Sequence, residues 1–377
     1  MRKMLLFLLL TACLNDPADR VDHDRRVGRA ALEDGTRIDV DDGLATVRAF
    51  DADGVTLWAQ APGIAGTLTF LTPPAGPFRV TLQNALPDAV LTASADGDGD
   101  GVADALPVTE LPDDGPTGRA WELAARPTDR SVRFSIAAPD GDAPAPFRVV
   151  YVSDLHHGLG PLATLIEMIN ADPAVRFVIC GGDLTHRGTR AELEAFFADT
   201  AALRVPFFTA AGNHDVGWDT AEVWAALIGR ANFSFVFSGV RFTFLDSADA
   251  AVHPTAFSWL RGWLDAGRET DDGRDALHVF VSHVPPLDPV GERNAGFSSR
   301  AQAHRLLAAL AAARVDLTLY GHIHTFHAFT NAGIPAYIAG GGITDGERGD
   351  GVGPHYLTLD LDPAAASPPK VTLVRVP

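Results

Sequence analysis

Five short stretches of the chain combine carboxylates, an amide and imidazoles at spacings that suit metal ions. They read Asp154-Leu155-His156, Gly182-Asp183, Gly212-Asn213-His214-Asp215, Ser282-His283 and Gly321-His322-Ile323-His324. Imidazole with carboxylate favours first-row divalent ions such as Mn, Fe, Zn or Ni over calcium, which prefers an all-oxygen shell. Each stretch directly follows an apolar, strand-like run: 148–152, 177–180, 206–209, 277–282 and 317–320. Open α/β sheets collect ligands at the carboxyl ends of their strands. A single Asp-x-His or Gly-His-x-His is weak evidence of chemistry. Five in succession, each just past a strand, argue against histidines that merely fill a core or decorate a surface.

The elements that would position these residues alternate in type. Helical stretches are expected at 162–170, 190–203, 220–228, 256–267 and 299–313, with further strands at 241–245, 335–339, 356–361 and 370–376. Repeated strand and helix units over 147–377 give an α/β domain built in layers. Gly182, Gly212 and Gly321 leave room for the tight turns that let ligands converge.

The order and wording of these motifs resemble the calcineurin-like metallophosphoesterases, over residues 147–361. The resemblance implies an α/β (α+β) four-layer αββα double-sheet sandwich with a binuclear metal centre at the strand ends. It puts Asp154, His156 and His324 on one metal and Asn213, His283 and His322 on the other, with Asp183 bridging the two. It implies that His214 faces the substrate and that Asp215 orients it. The cofactors would be two divalent transition-metal ions, Mn, Fe, Zn or Ni. Such a pair, about 3.5–4 Å apart, clamps the attacking and leaving oxygens of an in-line displacement and acidifies a bridging water into the nucleophile. Two divalent ions against two aspartates and a hydroxide leave about +1, attractive to a phosphate anion. His214 would stabilise developing charge or protonate the leaving oxygen.

The expected activity is therefore hydrolysis of small-molecule phosphomonoesters or phosphodiesters, as a phosphatase or a phosphodiesterase. The alternative is a membrane-anchored binding or scaffold protein whose metal site is structural and catalytically silent; an intact ligand set with His214 weighs for the enzyme. One departure matters. Purple acid phosphatases, a branch of the family, place a metal-binding tyrosine three residues after the bridging aspartate. Here that residue is His186, so an iron-tyrosinate centre is not expected. The Gly-Asn-His-Asp wording is shared with relatives resembling class III cyclic-nucleotide phosphodiesterases. His157 and His186 read as rim residues, and 294–300 and 340–342 are expected near the metal edge.

Residues 28–140 carry strand-like runs at 36–40, 45–50, 56–60, 67–71, 78–83, 90–93, 121–125 and 131–137, separated by Gly, Pro and Asp turns. Short strands at regular spacing read as an all-β sandwich-like domain. It carries no catalytic constellation. Within it, Asp96, Asp98, Asp100 and Asp104 alternate around glycines at 96–104. This run reads either as a structural calcium loop, resembling those of thrombospondin type-3 repeats, or as a solvated acidic turn. It is not an EF-hand, because the position needing glutamate is Pro107. Residues 139–146 read as an interdomain linker.

At the N-terminus, Arg2 and Lys3 precede an apolar run, 4–10, too short to span a bilayer. Leu10-Thr11-Ala12-Cys13 resembles a bacterial lipobox. The expectation is a signal peptide over 1–12, lipidation at Cys13, a solvated tether over 13–27, and a protein held on a membrane surface of the bacterial cell envelope, periplasmic or outer membrane. The formal net charge of −18 argues against long nucleic acid as a partner. Protein partners are not readable. Cys180, the second of two cysteines, lies in an apolar run and reads as a buried core residue.

Overall fold

The computed structural model describes residues 17–72, 74, 76–112, 115–124, 130–157, 162–216, 221–266, 277–291, 294–342, 351–365 and 368–377. The stretch 1–12, where a signal peptide is expected, and Cys13 lie outside the described residues. Among the described residues, no helix is long and apolar enough to cross a membrane.

Strand Phe147–Val152 shows why the C-terminal part forms layers. Its side chains alternate with the two-residue period of a strand, and Val149, Val150, Tyr151 and Val152 are all buried. A strand apolar on both faces must be covered on both. Val149 and Tyr151 face a second sheet, while Val150 and Val152 pack under helices. Strand Val175–Cys180 repeats the pattern, with Phe177 and Ile179 inward and Val178 and Cys180 under helices.

The first sheet runs Phe207–Thr209, Val175–Cys180, Phe147–Val152, His355–Leu361, Lys370–Arg375. Its first three strands are parallel. Helices Leu162–Asn170, Arg190–Thr200 and Ala221–Leu227 cover its outer face. The second sheet runs Phe233–Phe237, Val240–Phe244, Leu277–Ser282, Leu317–Tyr320, Ile334–Ala339, Phe326–Asn331. Helices Pro254–Ala266 and Arg300–Ala312 cover it. The result is the αββα order expected. Between the sheets, Phe233 stacks on Phe244 at 4.4 Å between ring centroids and Phe177 meets Phe208 edge-on at 5.3 Å.

Strands between Arg29 and Ala137 form an all-β region ahead of this domain, in sheets of six and five strands. Strand Phe78–Gln83 buries alternate residues Phe78, Val80 and Leu82. The region docks through buried polar contacts. Asn84 donates from Nδ2 to the Phe207 carbonyl at 2.7 Å and accepts the Phe207 N–H at 2.9 Å, capping the outermost strand of the first sheet. The Arg48 guanidinium lies 3.9 Å above the Trp58 ring and reaches the Leu227 carbonyl.

The tether expected over 13–27 is corrected from residue 17 onward, while 13–16 lie outside the described residues. Pro17–Asp24 is a helix, with Arg20, Val21 and Asp24 buried. Arg20 Nε donates to Asp246 Oδ2 at 2.7 Å, and its other arm reaches Asp249. Asp24 accepts the N–H groups of Ala231 at 2.7 Å and Asn232 at 3.1 Å. Buried charges require partners, and these stand in the C-terminal domain. The Asp and Arg density that resembles a solvated segment is a docking patch.

Candidate metal centre

The parallel strands of both sheets end at one edge, and the motif residues stand there. Asp154 and His156 follow Phe147–Val152, Asp183 follows Val175–Cys180, and Asn213 to Asp215 follow Phe207–Thr209. His283 follows Leu277–Ser282, and His322 and His324 follow Leu317–Tyr320. The turns are held backbone to backbone: the Asp154 N–H donates to the Gly182 carbonyl and the His156 N–H to that of Asp183, both at 2.9 Å. Convergence costs backbone strain. Asp154, His156, Asp183 and His322 sit at φ 58, 40, 56 and 68°, in the left-handed region that non-glycine residues avoid. Glycine is obligatory beside them, since a Cβ on Gly212 would lie 2.1 Å from Asp183 Oδ1 and one on Gly321 2.0 Å from Ser153 Oγ.

All seven residues expected as metal ligands come together. Asp154, His156 and His324 form one group of converging ligand atoms, and Asp154, Asp183 and His283 another. His156 Nε2 lies 3.3 Å from His324 Nε2, and His324 Nε2 lies 3.4 Å from Asp154 Oδ1. Asp183 Oδ2 lies 3.6 Å from His156 Nε2 and 3.3 Å from His283 Nε2. Asn213 Oδ1 stands 3.0 Å from His283 Nε2 and 2.9 Å from His322 Nδ1.

This donor set fits a cation. Asp154 and Asp183 are fully buried, and imidazole nitrogens face each other and the carboxylates. Burial opposes ionisation of Asp183, yet His283, His214 and His156 hold its pKa below the usual carboxylate range. Burial likewise opposes a charged His283, but Asp183 and Asp154 outweigh it and push its pKa up to about 9. The carboxylates demand positive charge at this point. His283 Nδ1 is 2.9 Å from the Gly181 carbonyl, a contact that fixes the ring and turns Nε2 toward the ligand cluster. The chemistry of the site is that of divalent ions.

His214 stands at the mouth. Its N–H donates to Asp183 Oδ1 at 2.8 Å, while its ring Nδ1 lies 2.8 Å from the His186 carbonyl. The expectation that Asp215 orients His214 is therefore corrected. The buried Asp215 carboxylate accepts from the Gly212 N–H at 3.0 Å, the Thr185 N–H at 3.0 Å and Thr185 Oγ1 at 3.1 Å. It braces the loops beneath the site. Burial, then the charge of Asp183, pushes its pKa up to about 7.

His157, expected at the rim, turns toward helix Arg190–Thr200, with Nε2 2.7 Å from Asp199. His186 stays at the pocket, exposed, its ring stacked on that of His214 at 5.5 Å. Gly340 to Gly342 lie behind the ligands: a Cβ on Gly340 would come 2.3 Å from the Ile323 carbonyl and 3.0 Å from Asp154 Oδ2. In the 294–300 stretch, Gly296 packs on Asp288; burial opposes ionisation of that carboxylate, but backbone hydrogen bonds from Gly291, Ala295 and Val290, and then His322, hold it below its usual range. The acidic run brings the carboxylates of Asp96, Asp98 and Asp100 together, with Asp104 outside that group in strand Asp104–Ala105. These carboxylates accept N–H groups of their own loop, Gly99 at 2.8 Å and Val102 at 2.8 Å among them. Sequence reasoning did not find Thr185, whose hydroxyl ties Asp215 to the loop that carries Asp183; a threonine two residues past Asp183 was the available signal.

Residues 147–326 match the calcineurin-like phosphoesterase family model, and this part of the chain is a calcineurin-like phosphoesterase domain. Comparison with curated proteins gave no match. Among solved structures, purple acid phosphatase PPD1 from yellow lupin seeds is 13% identical, with a TM-score of 0.51 over 83% of this chain and 72% of that one. GAP50, the anchor in the inner membrane complex of Plasmodium, is 14% identical, with a TM-score of 0.45 over 62% of this chain and 90% of that one. PhoD is 11% identical, with a TM-score of 0.44 over 84% of this chain and 88% of that one. At such identities the first of these likenesses is one of fold. Family and ligand groups together define a metal-dependent phosphoesterase in general terms.

Proposed function

We propose that the protein hydrolyses small-molecule phosphomonoesters or phosphodiesters at a two-metal centre. The observation that carries this reading is the meeting of ligand atoms from five strand ends, with the His214 ring beside them at 4.6 Å from that of His156. Asp154, His156 and His324 would hold one ion, Asn213, His283 and His322 the other, and Asp183 both. Such ions would supply Lewis acidity toward phosphoryl oxygens and would lower the pKa of a bound water. The chain does the rest. Asp154 and Asp183 fix the charge of the pocket, Gly212 and Gly321 let the loops close on it, and His214 offers Nε2 to the leaving or non-bridging oxygen.

The experiment is hydrolysis of bis(p-nitrophenyl) phosphate and p-nitrophenyl phosphate side by side. Protein starting after Cys13 would be stripped of metal and reloaded with Mn, Zn, Ni or Fe. Turnover that requires metal and disappears in Asp183→Asn is expected, and the ratio of the two rates divides diesterase from monoesterase. Two bound metals without turnover on either ester would replace this reading with a catalytically silent metal site.

The protein is further proposed to work on a membrane surface of the bacterial envelope, held by lipid on Cys13, a reading supported by the Leu10-Thr11-Ala12-Cys13 stretch. Cys13→Ser should move the protein from the membrane to the soluble fraction. Unchanged membrane association would remove the lipid from the account.

A further inference from the structure

The outer wall of the pocket contains an imidazole that the ligand set does not use. His186 stands three residues past Asp183, and its ring stacks on that of His214 at 5.5 Å between centroids, with 26° between the planes. Its centroid is 5.9 Å from that of His156, and ligand atoms of His156, His186 and His214 lie within 4.8 Å of one another. The His186 ring does not belong to the groups that contain Asp154 or Asp183. It is exposed, while His156 is buried and His214 half-buried, so the three imidazoles run from the ligand cluster toward solvent.

The backbone of His186 and its side chain do different work. The carbonyl takes the Nδ1–H of His214 and sets that ring's direction. Among the described residues, no protein group hydrogen-bonds the His186 ring nitrogens. Ring nitrogens closer than twice a hydrogen-bond length, about 2 × 2.8 Å, can reach one oxygen between them or two oxygens of one phosphoryl group; His186 donates there from a ring N–H, and His214, whose Nδ1–H is already given to the carbonyl, donates from Nε2 in its imidazolium form. A hydrogen bond to a charged phosphoryl oxygen is stronger than one to a neutral acceptor.

We propose that His186 is a substrate-contacting residue: with His214 it forms a two-imidazole clamp on the oxygens of the phosphoryl group as it enters the metal pocket. This rests on the phosphoesterase reading above and adds a binding determinant to it. The clamp acts on the anion common to monoesters, diesters and the orthophosphate product. Its contribution therefore falls on KM and on product inhibition rather than on the chemical step.

The test uses His186→Ala and His186→Asn in metal-loaded protein. The alanine variant keeps the backbone carbonyl, so His214 keeps its orientation. Metal content is measured first, then KM and kcat for p-nitrophenyl phosphate, and the Kd of inorganic phosphate by titration calorimetry. Loss of a charge-assisted hydrogen bond predicts a rise of about tenfold in KM and in phosphate Kd for the alanine variant. Metal content should be unchanged, kcat should stay within about threefold, and asparagine, which retains a donor, should recover part of the loss. Unchanged KM and phosphate Kd would overturn the clamp. Loss of metal from the alanine variant would overturn it too, by making His186 a ligand. If the unaltered protein turns over no ester with any metal, the hydrolase reading fails, and phosphate calorimetry still decides on the clamp.

Discussion

His214 Nδ1 lies 2.8 Å from the backbone carbonyl of His186, while the neighbouring Asp215 carboxylate is engaged by Gly212 and Thr185. Asp215 and His214 should therefore separate in experiment. Asp215→Asn removes an acceptor from buried N–H groups and should cost about 1–3 kcal/mol of stability, with kcat of the folded enzyme changed only a few-fold. His214→Ala should leave the melting temperature near that of the parent and lower kcat by about 10²–10⁴. Steady-state kinetics at a temperature where both variants are folded, with calorimetric melting, checks this. A kcat loss in Asp215→Asn as large as in His214→Ala would restore the aspartate to an orienting role.

The centre concentrates two buried carboxylates and imidazoles within hydrogen-bond distance of one another. Metal removal should leave these groups uncompensated and lower the melting temperature. Free metal at about 100 times its Kd adds about 2.7 kcal/mol to the folded state, so chelation should shift the transition by several degrees. In Asp183→Asn the metal-dependent shift should disappear along with hydrolysis. Scanning calorimetry of both proteins with and without chelator reads this directly, and equal shifts would mean that Asp183 is not a ligand.

What could be read from the sequence follows the range over which each feature is encoded. Asp154-Leu155-His156 and Gly321-His322-Ile323-His324 are local, so their strands and their chemistry were visible together. The helix Pro17–Asp24 was not, because the partners that bury Arg20 and Asp24 lie more than 200 positions away. Strand Phe326–Asn331 was also missed. It lies at the sheet edge and only Asn331 is fully buried, so it shows no apolar alternation. Strand Phe233–Phe237 was hidden by its closeness to Val240–Phe244, to which a tight turn at Ser238 and Gly239 joins it. The left-handed conformations at Asp154, His156, Asp183 and His322 leave no mark in composition, since glycine is absent from those positions. The support of His214 was misassigned because a backbone carbonyl carries no residue signature.

His278 supplies a pH-dependent term in stability away from the metals. It is buried, with Nε2 2.9 Å from Thr243 Oγ1. Burial first, and Arg241 second, pushes its pKa down to about 3 from an ordinary 6.5. Between those values the unfolded chain binds a proton that the folded chain does not. This contribution is thus intact above about pH 6.5 and is lost as pH falls toward 3, at no more than about 1.4 kcal/mol per unit. In metal-free protein, His278→Gln should flatten the fall of the urea midpoint between pH 6.5 and 4.5. Parallel profiles for the two proteins would show that the ring titrates normally in the fold.

Arg20 joins a helix at the start of the described chain to the support of a candidate ligand more than 250 residues later. It pairs with Asp246, whose N–H donates to Asn232 Oδ1, and Asn232 in turn is held by Asp24. The adjoining Ser247 Oγ accepts the Val284 N–H at 2.8 Å, directly beside His283. Removing one member of a buried pair leaves the other charge unpaired, so Arg20→Met should destabilise the protein by about 3–5 kcal/mol. Adding Asp246→Asn removes that unpaired charge, so the double variant should be more stable than the sum of the single losses allows. Because the network ends at Val284, Arg20→Met should also weaken metal binding in protein that remains folded. Urea titration of the three variants, with metal Kd measured well below the transition, tests both claims. Additive losses with an unchanged metal Kd would reduce the N-terminal helix to a peripheral contact.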